Sequence, residues 1–127
     1  LGARRDGAAI SVSAADTLYG ASLLGDPGRL SDVRALGARA ETINSVAMRL
    51  VRVAEGRFDG LIAERGKWDW DLAAGALIVT EAGGVITGRD GAPLTFNADP
   101  PRQPAPLAAG PALHALLRQR LNQGDAP

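Results

Sequence analysis

Apolar and polar residues alternate with different periods along this chain, and the longest uniform stretch dominates the pattern. Residues 68–84 read Trp-Asp-Trp-Asp-Leu-Ala-Ala-Gly-Ala-Leu-Ile-Val-Thr-Glu-Ala-Gly-Gly, with no polar side chain from Leu72 to Val79. This pattern predicts a helix. Asp69 or Asp71 can cap its start by accepting hydrogen bonds from free backbone N–H groups, and Gly83 and Gly84 can take the left-handed conformation that ends it. A helix apolar all round is expected to be buried on every side, between layers, with Leu77 in the core. A carboxylate at its start gains from the helix dipole and can also hold a cation.

The other elements are shorter. Asp6-Gly7 is a tight-turn pair, and Ile10 and Val12 alternate with Ser11 and Ser13, which predicts a hairpin over residues 1–13. Tyr19 to Leu24 reads as a strand closed by Gly25-Asp26-Pro27-Gly28, and Leu30 to Arg39 as a helix. Asn44 or Ser45 caps a second helix. Val46, Ala47, Leu50, Val53 and Ala54 form its apolar stripe, Arg49, Arg52 and Glu55 lie towards solvent, and Gly56 ends it. A strand is expected over Arg57 to Glu64, then a loop at Arg65-Gly66-Lys67 into the central helix. Val85-Ile86-Thr87 and Leu94-Thr95-Phe96 read as short strands around an Asp90-Gly91 turn. A proline-rich loop spans Asn97 to Pro106, followed by a strand at Leu107-Ala108-Ala109. Pro111 opens a last helix, ending near Leu121, and residues 122–127 are expected to be a flexible tail. Strands alternating with helices predict an α/β layered fold.

Composition narrows the function. The chain has 127 residues with 14 basic and 14 acidic groups, so its balanced charge gives no case for nucleic acid or an anionic membrane. It has no cysteine and no apolar run of about 18 residues. A cytoplasmic protein without a membrane span is expected. Large side chains are few, with aromatics at 4%, which weakens the case for a self-sufficient core. Lys67 is the only lysine. The start, Leu1-Gly2-Ala3-Arg4-Arg5, is neither a signal peptide nor an initiator methionine, so the chain is expected to begin inside a gene product.

The central stretch also carries a resemblance. Trp70, then Asp71-Leu72-Ala73-Ala74-Gly75, then Ile78-Val79-Thr80-Glu81-Ala82-Gly83-Gly84 resembles the C-terminal signature of the inositol monophosphatase family. These are Mg²⁺-dependent, lithium-sensitive phosphomonoesterases, often homodimeric. The hairpin is similar to the family's Gly-x-x-x-Asn-Gly, with Asp6 for asparagine. The resemblance implies an α/β helix–sheet sandwich that is only the C-terminal half of the family fold, over residues 1–121. The family's Asp-Pro-x-Asp-Gly-Thr motif, which belongs to the other half, occurs nowhere here.

Roles carry over by position. Asp71 stands where the family has a metal ligand, for Mg²⁺. Glu64, seven residues earlier, stands where an acid binds a substrate hydroxyl, and a carboxylate there can position a polyol or ribose. Asn44-Ser45-Val46 matches a Gly-Ser/Thr-x segment that contacts substrate, with Asn44 in place of glycine; Ser45 is equally readable as a plain helix cap. Glu41 replaces a family arginine and Trp68 a histidine of the animal enzymes, so myo-inositol phosphate is not implied. Asp69 is an extra acid, a cap or loop contact. His114 is expected to be structural or on the surface, and Glu81 to face solvent or pair with an arginine.

One carboxylate does not make a Mg²⁺ site, which needs several oxygen ligands. The chain alone is therefore expected to be inactive. The leading reading is the C-terminal part of a phosphomonoesterase that uses metal-activated water on a small phosphorylated polyol, sugar or nucleotide, partnered by the missing half. The other is a non-catalytic remnant or partner-binding domain.

Overall fold

Leu23 and Leu24 are neighbours in sequence but belong to different cores, and this alternation across a sheet builds the molecule. The computed structural model describes residues 2–124. Its elements are β1 (Arg4–Arg5), β2 (Ala8–Ala9), β3 (Ser22–Gly25), α1 (Leu30–Ala35), β4 (Arg39–Glu41), α2 (Val46–Ala54), β5 (Gly60–Ile62), β6 (Lys67–Trp68), α3 (Asp69–Glu81), β7 (Val85–Gly88), β8 (Arg102–Gln103), β9 (Pro106–Ala109) and α4 (Pro111–Gly124). Five strands form one sheet in the order β4-β3-β5-β9-β7. β4 and β5 both run parallel to β3, and β9 runs antiparallel to β5 and β7.

Each face of that sheet is covered by two helices. On one, Leu23, Ile62 and Leu107 meet Val33 of α1 and Leu113 and Leu117 of α4. On the other, Leu24, Leu61 and Ala108 meet Leu50 and Val53 of α2 and Leu72 and Val79 of α3. No described helix is long and apolar enough to cross a membrane.

The hairpin forms as expected, with Asp6 and Gly7 both at positive φ in its turn. The end of α3 also forms as expected. Gly83, at φ 86°, lets the Gly84 N–H reach the Val79 carbonyl at 2.8 Å and close the last turn.

Several expectations are corrected. The central helix is not buried on all sides. Leu72 and Val79 are fully buried, but Leu77 is 62% exposed, Trp70 69% exposed, and Ala73 and Ala74 also face outward. The sheet covers one face of α3, α2 lies beside it, and nothing among the described residues covers the remaining face. Neither Asp69 nor Asp71 caps it: Trp68 occupies the cap position and makes no side-chain cap bond, while the two acids lie in the first turn. The helix expected over 30–39 stops at Ala35, where Gly37 at φ 88° reverses the chain so that Arg39–Glu41 can pair with β3 as an edge strand. Leu94–Phe96 forms no strand. Only Pro93 bridges to Thr87, and Leu94 and Phe96 serve as packing against the core. The proline-rich loop contains β8, which pairs with β6. The last helix continues through residues 122–124, and the rest of the expected tail lies outside the described residues.

Arg49 and Glu55 do not lie towards solvent. The Arg49 side chain is 8% exposed and ion-paired, and that of Glu55 is 6% exposed, gripped by Arg5, Arg52 and Arg57. Glu81 does face solvent, where its carboxylate accepts the Gly2 N–H at 2.9 Å. His114 is structural. It is buried in α4, with Nε2 2.8 Å from the Thr87 hydroxyl.

Candidate active site

Two helix starts lie side by side because their bodies pack closely. Gly75 of α3 sits against Leu50 of α2, so closely that a Cβ at position 75 would lie 2.6 Å from Leu50 Cδ1. Towards the N-terminal ends, the two helices and β6 enclose a cavity of about 500 Å³. Asn44, Ser45, Val46 and Asp71 all line it, together with Ala47, Arg49, Lys67 and Trp70. Four of the five expected site residues therefore share one cavity.

Ser45 is the cap of α2, with extended backbone and its hydroxyl accepting the Met48 N–H at 3.2 Å. Capping leaves its O–H free to donate. Asp71 is half-buried in the first turn of α3. Trp70 forms the wall beside it and stacks on Trp68, with centroids 5.0 Å apart and planes within 6°. The Arg102 guanidinium lies 4.6 Å from the Trp68 ring centre. Asp69 points away from the cavity. It accepts the Asn97 N–H and Gln103 Nε2, both at 2.7 Å, and so ties the 97–103 loop to the helix start.

Glu64, the fifth expected residue, does not line the cavity. It is exposed, and its carboxylate lies against Gly28, where an added Cβ would meet Glu64 Oε2 at 2.5 Å. Its backbone is fixed by a residue that the sequence reading treated only as part of a turn. Asp26 is 9% exposed, and its Oδ2 accepts the Glu64 N–H at 2.6 Å and the Arg65 N–H at 3.4 Å. Its Oδ1 accepts from Arg49 Nη1 at 2.6 Å, and Lys67 Nζ lies 3.6 Å from Oδ2. Arg49 in turn donates to the Ile43 carbonyl at 2.5 Å and the Thr42 hydroxyl at 3.3 Å. One buried ion pair thus joins the segment before α2 to the loop before α3. Burial pushes the Asp26 carboxyl up, but the Glu64 N–H, Arg49 and Lys67 outweigh it and hold it below its ordinary value.

Asp26 and Arg49 are what sequence reasoning missed. For Arg49 a signal existed. It falls three residues after Val46 and four before Val53, in register with the apolar stripe, and an arginine there must find a buried partner.

The donor set bears on a metal. Among the described residues, no three His, Cys, Asp or Glu side chains come together to hold an ion. Asp71 offers one carboxylate to the cavity, so a full Mg²⁺ coordination shell does not fit this chain by itself. A larger, mostly apolar groove of about 840 Å³ runs along the exposed face of α3, past Trp70, Ala73 and Leu77 to Ile86 and Phe96. Trp70 lines both spaces.

The comparisons bear on the whole chain. An inositol-1-monophosphatase of Synechocystis sp. is 42% identical over 77 residues, covering 61% of this chain and 25% of that protein. A histidinol-phosphatase of Streptomyces coelicolor is 46% identical over 71 residues, covering 56% of this chain and 24% of its own length. Among solved structures, an inositol monophosphatase from Anabaena superposes with a TM-score of 0.82 at 29% identity, covering 97% of this chain and 51% of that one. The extragenic suppressor protein suhB of Bartonella henselae does so with a TM-score of 0.81 at 28% identity, covering 97% and 49%. The chain therefore spans about half the length of these structures, and its matched stretches span about a quarter of the two relatives. The profile described as the inositol monophosphatase family matches residues 10–124, and with the fold matched over nearly its full length, the chain belongs to that family.

Proposed function

We propose that this chain is the C-terminal part, over residues 1–121, of a Mg²⁺-dependent phosphomonoesterase acting on a small phosphorylated polyol, sugar or nucleotide. The observation that carries the proposal is that Asp71 shares one cavity with Asn44, Ser45 and Val46. Asp71 would supply one metal ligand. Mg²⁺, when bound, polarises a phosphoryl oxygen and activates water. The chain's own residues bind and orient. The Ser45 hydroxyl and Asn44 amide offer polar contacts to substrate, and Glu64 would serve its hydroxyl side from the rim, by swinging its exposed carboxylate away from Gly28. The names of the relatives support a phosphatase.

The remaining ligands would come from the other half of the fold. Two features support that partner: this chain covers half of the matched structures, and the outer face of α3 is apolar and uncovered. A sheet or helix layer laid on Trp70 and Leu77 would bury that face and reach the rim of the Asp71 cavity.

The test is phosphate release by the full-length gene product with Mg²⁺ and a panel of phosphomonoesters. Hydrolysis that falls at least about a hundredfold in Asp71→Asn is expected, with the 127-residue chain alone inactive. A full-length product that hydrolyses none of the panel, or an Asp71→Asn variant as active as wild type, would overturn the reading.

A further inference from the structure

Arg49 reaches backwards along its own chain. It lies in α2, beyond the Ser45 cap, yet its guanidinium grips the segment before the helix, where Nε donates to the Ile43 carbonyl and Nη2 to the Thr42 hydroxyl. The third nitrogen, Nη1, donates to Asp26 Oδ1. Every nitrogen of the planar fork is thus engaged, with the side chain 8% exposed in the cavity wall. Among the described residues, no other hydrogen bond holds Thr42 or Ile43. The opposite wall is pinned differently. The Asp69 N–H donates to the Pro101 carbonyl at 2.9 Å, its carboxylate takes Asn97 and Gln103, and β6 pairs with β8. The start of α3, which carries Asp71, is therefore tied to the 97–103 loop without help from Arg49.

We infer that Arg49, clamped by Asp26, is a positioning residue that holds the Asn44–Ser45 segment in place and so sets substrate affinity more than the rate of the chemical step, a role that rests on the reading of Asn44 and Ser45 as substrate contacts. These two residues follow directly on the two that Arg49 grips. With the grip gone, the peptide ahead of the cap gains conformational freedom that a substrate must remove on binding. The Asp71 side keeps its ties, so the reacting end of a bound substrate is placed as before. A plain structural ion pair would lower stability without singling out this segment, and a direct substrate contact would leave the ligand-free segment ordered.

The test takes two measurements on the full-length gene product. Nitrogen-15 relaxation of the ligand-free protein reads the order of each backbone amide, and steady-state hydrolysis of a phosphomonoester that it accepts reads KM and kcat. In Arg49→Lys a single ammonium cannot span the Ile43, Thr42 and Asp26 acceptors. The order parameter at Ile43 and Asn44 is expected to fall from about 0.85 to below about 0.6, while Asp69 and Asp71 keep theirs. KM should rise about tenfold, with kcat changed by less than about threefold. Thr42→Val removes only the 3.3 Å contact and keeps the ion pair, so KM should rise about threefold, and this variant decides if Arg49→Lys does not fold. Glu55→Gln breaks another buried ion-pair cluster, at the far end of α2, and should leave both readouts as in wild type. Order kept at Ile43 and Asn44 in Arg49→Lys, an unchanged KM in either folded variant, a kcat that falls as far as KM rises, or the same losses in Glu55→Gln would overturn the inference. A full-length product that hydrolyses nothing would sink the phosphatase reading alone. The relaxation data then decide on Arg49: loosening confined to residues 42–45 keeps it as the anchor of that segment, and unchanged order removes it.

Discussion

Replacing Asp26 with asparagine removes one charge and almost no volume, which isolates the electrostatic part of the joint between the two loops. The wild-type carboxylate serves Arg49 at 2.6 Å, the Glu64 N–H at 2.6 Å and the Arg65 N–H at 3.4 Å. Both partners of the ion pair are nearly buried, with side chains 12% and 8% exposed. Breaking such a pair from one side leaves an uncompensated buried charge, which costs about 3–5 kcal/mol. The amide oxygen of asparagine can still accept one backbone N–H, so the lower end, about 3 kcal/mol at pH 7, is expected. In urea, where a small domain loses roughly 1–3 kcal/mol per molar denaturant, the midpoint should fall by about 1–3 M. The pH dependence gives a second handle. Asp26 titrates below its ordinary value of 3.8 when folded, so the folded state favours the ionised form. Its stabilisation is fully present above that value and is lost as pH falls through the lower, folded one. The gap between wild type and variant should be constant from pH 7 to pH 5 and close below about pH 4. A gap under about 1 kcal/mol at pH 7, or one that persists unchanged into acid, would refute the assignment of Asp26 as a buried, ionised hub.

Leu72→Ala should cost about 2–5 kcal/mol in this chain, whereas Leu77→Ala, on the exposed face of the same helix, should cost no more than about 0.5 kcal/mol; comparable losses in urea melts would contradict the one-sided burial of α3. In the full-length product, Leu77→Ala should become strongly destabilising if another layer covers that face. Burial, aided by the charge of Arg118, lowers the titration of His114 below its ordinary 6.5, so stability should decline as pH falls from about 7 to 5, while the unfolded chain takes up the proton first. His114→Gln should flatten that slope, and an unchanged slope would place the titrating group elsewhere. Gly75→Ala should destabilise despite alanine's better helix propensity, because its methyl meets Leu50; a more stable variant in the same melts would mean that the helices part without cost.

Much of the candidate site was legible because it sits on helix starts. Caps and first turns have local chemistry, so a cap at Asn44 or Ser45 could be placed on sequence grounds alone, and the resemblance supplied Asp71. Arg49 was half-legible: its register with Val46 and Val53 put it on the buried face, but nothing local names a partner 23 residues away. Asp26 was hidden because an aspartate before proline and glycine reads as a turn, and its burial depends on where β5 brings Glu64. The error on α3 has a different origin. Apolar residues on all sides report that a helix will be covered, not that this length of chain contains the cover. The missed strand β4 is three residues long and pairs with β3 only after a glycine reversal, too short to show a period of its own.

The contact between Gly75 and Leu50 has a consequence for chemistry that neither residue touches. Ser45 lies at one helix start and Asp71 at the other, and each is about one turn above this contact. The pair acts as a caliper. Its closed jaws, a hydrogen against a leucine, set how far apart the two arms open at their tips. Within such a scaffold the gape available to a ligand is fixed by the thickness of a spacer, here almost nothing, and not by the groups that grip it. Any change that thickens the spacer alters the aperture while leaving every polar group in the cavity chemically intact, so a search for the determinants of reach confined to the lining residues would overlook the one that sets it.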